Sequence, residues 1–199
     1  MPESLTGVVL AGGLSSRLGH DKVLLRFNDG QHADMLARSV ALLEAVCGRA
    51  IVIGREQPGY ICYPDEVSGN GPVGGIATAL KVALGPCLVL SCDLPFMEEA
   101  VLLKLVKAHG KSPAGTLSTS YRQEDTGHIE SLVSVYEQEC LPFFQKCIAE
   151  KLLKISRVVP VESQHYIDYS AAESLPFFNI NYPADLEVAR RMIQMLGRG

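Results

Sequence analysis

Short, almost wholly apolar runs alternate along this chain with longer stretches in which apolar residues recur every three or four positions. The short runs fall at residues 6–11, 50–54, 60–63, 88–92, 115–120 and 132–136, with a late one at 177–180. Their length and their bounding turn residues predict buried strands. The longer stretches, at 34–47, 75–84, 98–109, 137–150 and 184–196, predict helices. In the first of them Leu36, Val40, Leu43 and Val46 form one apolar stripe at helical spacing. In the last, Asp185 and Glu187 follow Pro183 and precede Arg190 and Arg191, a charge order that suits the helix dipole. Strand alternating with helix predicts an α/β fold in three layers, a mostly parallel sheet with helices on both faces. Ligands of such sheets bind outside the carboxyl ends of the strands. The segments 111–127 and 151–172 are polar or weakly patterned and are expected to be loops, where contacts to a second substrate could lie.

Composition narrows the picture. The chain has 199 residues, 47% of them hydrophobic and 20% charged, which is a globular composition. No repeat, low-complexity tract or long linker divides it, so residues 1–199 are expected to form one domain. The net charge of -4 shows no broad basic surface and argues against a nucleic-acid partner. No apolar run approaches the roughly 20 residues of a membrane span, and residues 1–5 lack a signal-peptide layout; no membrane association and a cytoplasmic location are expected. The six cysteines form no Cys-x-x-Cys pair and read as buried free thiols. The five histidines include no pair at metal-ligand spacing, so a zinc site is not expected.

The candidate chemistry begins where the first strand ends. After Leu10 and Ala11 come the paired glycines Gly12 and Gly13, then Arg17, Gly19 and Lys22. Glycines let a backbone approach a phosphate closely, and bare N–H groups with two fixed cations would receive a polyphosphate. This is neither a P-loop, because His20 and Asp21 separate Gly19 from Lys22, nor a dinucleotide fingerprint, because Gly-x-Gly-x-x-Gly is absent. The fourth main strand ends in Cys92-Asp93-Leu94-Pro95, which puts the Asp93 carboxylate at the same edge of the sheet. A hard oxygen ligand there could hold Mg²⁺, which usually binds through one or two carboxylates plus substrate phosphates. A second glycine-rich turn, Gly69 to Gly75 with Gly71-Pro72 at its centre, follows Asp65 and offers backbone against which a flat base could lie. Near the end, the segment from Phe177 to Asp185 reads as a strand and then a proline-started helix, and Asn179 and Asn181, two apart, share one face of that strand. Paired amides can orient an anionic or heterocyclic ligand or complete a metal shell.

Taken together these segments resemble the molybdenum cofactor guanylyltransferase family of nucleotidyltransferases. Five landmarks match in order: Leu10-Ala11-Gly12-Gly13 with Arg17, Gly19 and Asp21-Lys22; Asp65; Gly71-Pro72 with Gly75-Ile76; Asp93-Leu94-Pro95-Phe96; and Asn179-Ile180-Asn181-Tyr182-Pro183-Ala184-Asp185. A weaker sixth, His128-Ile129-Glu130-Ser131-Leu132, looks like the family's Arg-Pro-Glu-Pro-Leu segment with Glu130 kept. The resemblance implies the Rossmann-like nucleotidyltransferase fold, GTP and molybdopterin as substrates, and pyrophosphate as leaving product. It implies that Leu10, Ala11 and Gly12 line the GTP site, that Arg17 and Lys22 contact phosphates, and that Asp65 serves the guanine or ribose side. Asp93 would hold Mg²⁺, and Asn179 and Asn181 would face the molybdopterin. A monomer or weak oligomer is expected, with room for a small GTP-binding accessory partner. The chain departs from the pattern at Gly54, where some members have Asn, at His128 and Ile129, and in 149–157, which lacks a Gly-Arg pair. Two other readings stay open: a related transferase with a different base or acceptor, cytidylyl or sugar-phosphate, and a nucleotide-binding protein without catalysis. Lys22 together with Asp93 disfavours the latter, since a binder needs no metal carboxylate beside a charge clamp.

Overall fold

The computed structural model describes residues 5–12, 22–25, 34–66 and 69–195. Strand β1 (Thr6–Leu10) is followed by a short 3-10 helix (Lys22–Leu24), helix α1 (Met35–Cys47), strands β2 (Ala50–Ile53) and β3 (Cys62–Tyr63), helix α2 (Gly71–Ala83), strand β4 (Cys87–Ser91) and helix α3 (Glu99–His109). Strands β5 (Ser118–Gln123) and β6 (Ile129–Tyr136), helix α4 (Leu141–Ala149), strand β7 (Gln164–Tyr169) and helix α5 (Pro183–Met195) complete it. The described strands make one seven-stranded sheet in the order β3-β2-β1-β4-β6-β5-β7. All pairings are parallel except those on either side of β6, which runs against its neighbours.

The pleat divides the core into two faces. Val9, Val52, Leu88 and Leu90 pack against Leu36, Val40 and Leu43 of α1 and Leu102 and Leu105 of α3. Val8, Leu10, Ile51, Ile53 and Val89 pack against Val73, Ile76 and Leu80 of α2 and Phe144 of α4. The three expected layers are therefore present. Helix α5 closes a smaller cluster with Phe96 and Ile180. Asp34 caps α1 by accepting from the Ala37 N–H at 2.9 Å, and Gly48 ends it at φ 75°.

Some boundaries differ from the pattern reading. The 151–172 segment, expected to be irregular, contains β7, an edge strand whose half-exposed side chains give little alternation. Residues 177–180 do not form a strand. Pro176 favours the start of a helical turn, and Leu175–Phe177 is a 3-10 helix. The chain then runs unpaired with the sheet to α5, so Asn179 and Asn181 do not share a strand face. Helix α2 starts at Gly71 rather than at 75, with Pro72 in its first turn. Residues 137–150 divide into a 3-10 turn (Gln138–Cys140) and α4.

Candidate active site

From β1 the chain turns to β2 on one side, while β4 pairs with β1 on the other. A crevice opens at such a reversal of strand order, outside the carboxyl ends of the strands. Leu10 ends β1 beside Ser91, the last residue of β4. Leu10 and Ala11 are buried, and Gly12 follows them exposed at the crevice. Gly13 and Arg17 lie outside the described residues, and Lys22 opens the 3-10 helix that precedes α1.

Gly12, Gly54, Gly75 and Asp65 converge on one side of this crevice. The Ala11 N–H donates to the Ile53 carbonyl at 2.9 Å, and the Gly54 N–H to the Tyr63 carbonyl at 2.9 Å, which ties the ends of the three strands together. A Cβ on Gly12 would lie 3.2 Å from Asp65 Oδ2 and 3.2 Å from Gly54 Cα. A Cβ on Gly75 would lie 3.6 Å from Asp65 Oδ1. The glycines thus make a seat for the Asp65 carboxylate, whose Oδ1 is buried with no hydrogen-bond partner. Buried acceptors in folded proteins almost always have a donor, so this atom points to a ligand that supplies one. Burial raises the Asp65 pKa above the usual carboxylate value.

That raised pKa means the folded protein holds the Asp65 proton more tightly than the unfolded chain does. Stability is then greatest below the unfolded pKa and falls as pH rises through the folded one. Asp65→Asn should therefore raise the thermal midpoint of the ligand-free protein at pH 7, by more than at pH 4, while raising the KM for the nucleotide about tenfold or more. Thermal melts at the two pH values and initial-rate kinetics check both halves. A lower midpoint at pH 7 with unchanged KM would contradict them.

Across the crevice, Asp93 sits in a turn held from two directions. Arg38 of α1 donates to the Pro95 carbonyl at 3.2 Å and to the Met97 carbonyl at 2.5 Å. The Ile180 N–H donates to the Asp93 carbonyl at 3.0 Å. Ser91 Oγ donates to Asp93 Oδ1 at 2.5 Å and fixes the carboxylate. The Ile180 contact is how Asn179 and Asn181 reach the site: a backbone bond docks their loop on Asp93. Asp185 Oδ2 accepts from the Asn181 and Tyr182 N–H groups, both at 2.8 Å, and holds the loop's far end. Asn179 Oδ1 is buried with no partner, a second acceptor waiting for a donor or a cation.

Among the described residues no three His, Cys, Asp or Glu side chains cluster as a ready-made metal cage. One carboxylate with an unpartnered amide oxygen on the adjoining loop is a hard-oxygen set that suits Mg²⁺ completed by substrate phosphates. The residues present fit that ion.

Beyond Asp93 lies a cavity of about 1110 Å³ that reaches from Pro72 and Ser91 to Glu130, Tyr169, Asn179 and Asn181. Its volume is at the upper end for a small-molecule site, roughly 300–1,000 Å³. Gly71 itself does not line it, although its neighbour Pro72 does. Tyr169 and Lys154, both lining the cavity, were not singled out in the sequence, because both lie in the weakly patterned 151–172 segment. Glu130 accepts a hydrogen bond from the Tyr169 hydroxyl at 2.6 Å. Burial raises its pKa, an effect that the Tyr169 bond and His128 partly oppose.

Comparison with known proteins identifies the family. The model of the MobA-like NTP transferase domain matches residues 7–165. A protein of Pelotomaculum thermopropionicum named "Probable molybdenum cofactor guanylyltransferase" is 30% identical, over 95% of this chain and 93% of its own length. One of the same name from Rhodopirellula baltica is 31% identical, over 93% and 91%. Among solved structures, molybdopterin-guanine dinucleotide biosynthesis protein A of Archaeoglobus fulgidus superposes with a TM-score of 0.75 at 22% identity, over 96% of this chain and 100% of that one, and so shares the fold.

Proposed function

Because this chain belongs to the MobA-like NTP transferase family, we propose that it transfers GMP from GTP to molybdopterin and releases pyrophosphate. One observation carries the reading. The glycine seat around Asp65 and the anchored Asp93 lie at the carboxyl ends of neighbouring parallel strands, and a cavity large enough for a second substrate is lined by Ser91 and Leu94, which flank Asp93.

In this reading a terminal phosphate oxygen of molybdopterin attacks the α-phosphorus of GTP. A new P–O bond forms there, the bond to the bridging oxygen of the β-phosphate breaks, and pyrophosphate leaves with that electron pair. A phosphate nucleophile is already ionised at neutral pH, so no general base is required. The protein's work is positioning and charge stabilisation. Backbone N–H groups of Gly12 and Gly13, together with Leu10 and Ala11, receive the nucleotide, and Arg17 and Lys22 offset the charge of its phosphates. Asp65 accepts from the base or ribose side, and the backbone from Gly71 onward flanks the base. Asp93 would hold Mg²⁺, with Asn179 as a further oxygen ligand; the ion would supply positive charge to offset that of the phosphates. Asn181 helps orient the acceptor. The six cysteines are free thiols, which supports a reducing, cytoplasmic setting. Among the described residues no helix is long and apolar enough to cross a membrane.

The test is pyrophosphate release with molybdopterin, with and without molybdate, paired in turn with GTP and CTP. Release with GTP is expected. Release with CTP alone rejects the guanine assignment, and no release with either nucleotide rejects the acceptor.

A further inference from the structure

Resting on the molybdopterin reading of the cavity, we propose that Glu130 is the specificity-determining residue for the acceptor, its carboxylate taking a pair of N–H groups from the 2-amino-4-oxo edge of the pterin. Glu130 is the one acidic residue among the described residues lining the cavity. Its side chain is 16% exposed, too little for water to satisfy it fully. The Tyr169 hydroxyl donates to Oε1 at 2.6 Å, and His128 Nε2 stands 3.8 Å from the same oxygen. Both contacts engage Oε1, so Oε2 is the oxygen available to a ligand, and Oε1 keeps a second lone pair.

The surroundings favour a flat heterocycle over other donors. Tyr169 and Phe177 line the cavity with ring centroids 4.5 Å apart and planes 35° from parallel, and Leu94, Leu132 and Val133 add apolar wall. An apolar stretch of wall beside one largely desolvated carboxylate matches a ring whose faces are apolar and whose edge donates hydrogen bonds. A pterin presents two such donors side by side, from the 2-amino group and N3, and a carboxylate accepts both at once. A phosphate would be repelled there, which orients the acceptor. The antiparallel ladder of β4 with β6 ends at Leu90 and Val133. Strand β6 bulges between Ser134 and Ile129, and Glu130 in that bulge shares the cavity lining with Ser91 and Leu94, which flank Asp93. With the heterocycle on Glu130, the phosphate end points back towards Asp93 and the nucleotide. Tyr169 is then a positioning residue, holding the Glu130 side chain in place.

Glu130→Gln tests this, because a Gln amide oxygen can still accept from Tyr169. The probes are 6-hydroxymethylpterin and its analogue lacking the 2-amino group, titrated calorimetrically, together with steady-state kinetics on molybdopterin and GTP. The wild-type protein should prefer the amino-bearing pterin by about 10–100-fold, the worth of a charge-assisted hydrogen bond. E130Q should abolish that preference and raise the KM for molybdopterin about tenfold or more, with the KM for GTP unchanged and the thermal midpoint no lower than that of the wild type. Tyr169→Phe should raise the same KM by a smaller factor and keep the preference. Equal binding of both probes by the wild type, or an unchanged molybdopterin KM in E130Q while the wild type turns over, overturns the assignment of Glu130 alone. No pyrophosphate release from wild type with molybdopterin and either GTP or CTP sinks the acceptor reading itself, and this inference with it.

Discussion

Replacing Asp93 with Asn should lower turnover about 10³-fold at saturating GTP and Mg²⁺, with the thermal midpoint within about 2 °C of the wild type. The two halves of that expectation come from different atoms of the same residue. The backbone carbonyl carries the structural duty, since it accepts the Ile180 N–H that docks the loop of Asn179 and Asn181. The turn itself is secured by Arg38 through the Pro95 and Met97 carbonyls. None of these contacts involves the carboxylate. An Asn side chain has nearly the same shape, and its amide oxygen can accept the Ser91 hydroxyl in place of Oδ1. What the change removes is the negative charge that would hold a divalent cation against the phosphates. Magnesium titrations with pyrophosphate detection, run beside thermal melts, measure both halves. Turnover within a few-fold of wild type would show that Asp93 does not hold the metal. Ser91→Ala should cost far less, about tenfold or below, because it loosens the carboxylate without discharging it.

How much of this was legible in the sequence follows from how local each feature is. Strand β1 and the glycines after it are a contiguous apolar run and turn, and β4 ending in Asp93 is another; both can be read without knowing their neighbours. That both strands end at the same edge of the sheet follows from the alternation of strand and helix; that they lie side by side, so that Leu10 ends beside Ser91, does not. The remainder depends on contacts across long separations. Asp65 sits in a short stretch that could have been any turn, and its burial comes from Gly12, Gly54 and Gly75, which are distant in the chain. Asn179 lies in, and Asn181 directly follows, the four residues 177–180 that look like a strand, yet Ile180 is drawn into the α5 cluster with Phe96 instead. Strand β7 was missed because an edge strand buries little and alternates weakly, and with it went Tyr169 and its bond to Glu130. The chemistry-bearing residue types were visible; their partners were not.

Gly54→Ala should be the most damaging small substitution in the site, lowering stability by about 3 kcal/mol or more, a fall in midpoint of roughly 6–12 °C for a chain of this size. Gly54 has φ 95°, where a side chain is strained in any surroundings. Here the surroundings forbid it as well. A Cβ on Gly54 would lie 2.5 Å from the Cα and 2.7 Å from the N of Gly12. Both obstacles are backbone, so no rotamer change relieves the overlap; β1 and β2 must part at their ends or the Gly12 turn must move outward. Either response displaces the N–H groups proposed to receive GTP and disturbs the seat of Asp65, so nucleotide KM should rise more than tenfold even at temperatures where the variant is folded. With Gly12 and Gly54 in contact, any recognition of the nucleotide on this flank falls to backbone groups and to Asp65. Gly48→Ala is the control. Gly48 also has a positive φ, 75°, but a Cβ there meets nothing within 4 Å, so it isolates backbone strain from collision. Melts and GTP kinetics on both variants should show G48A losing about 1–2 kcal/mol with its KM unchanged. Equal losses in the two variants, or a wild-type KM in G54A, would refute the close packing of Gly54 on Gly12 as the feature that shapes the nucleotide site.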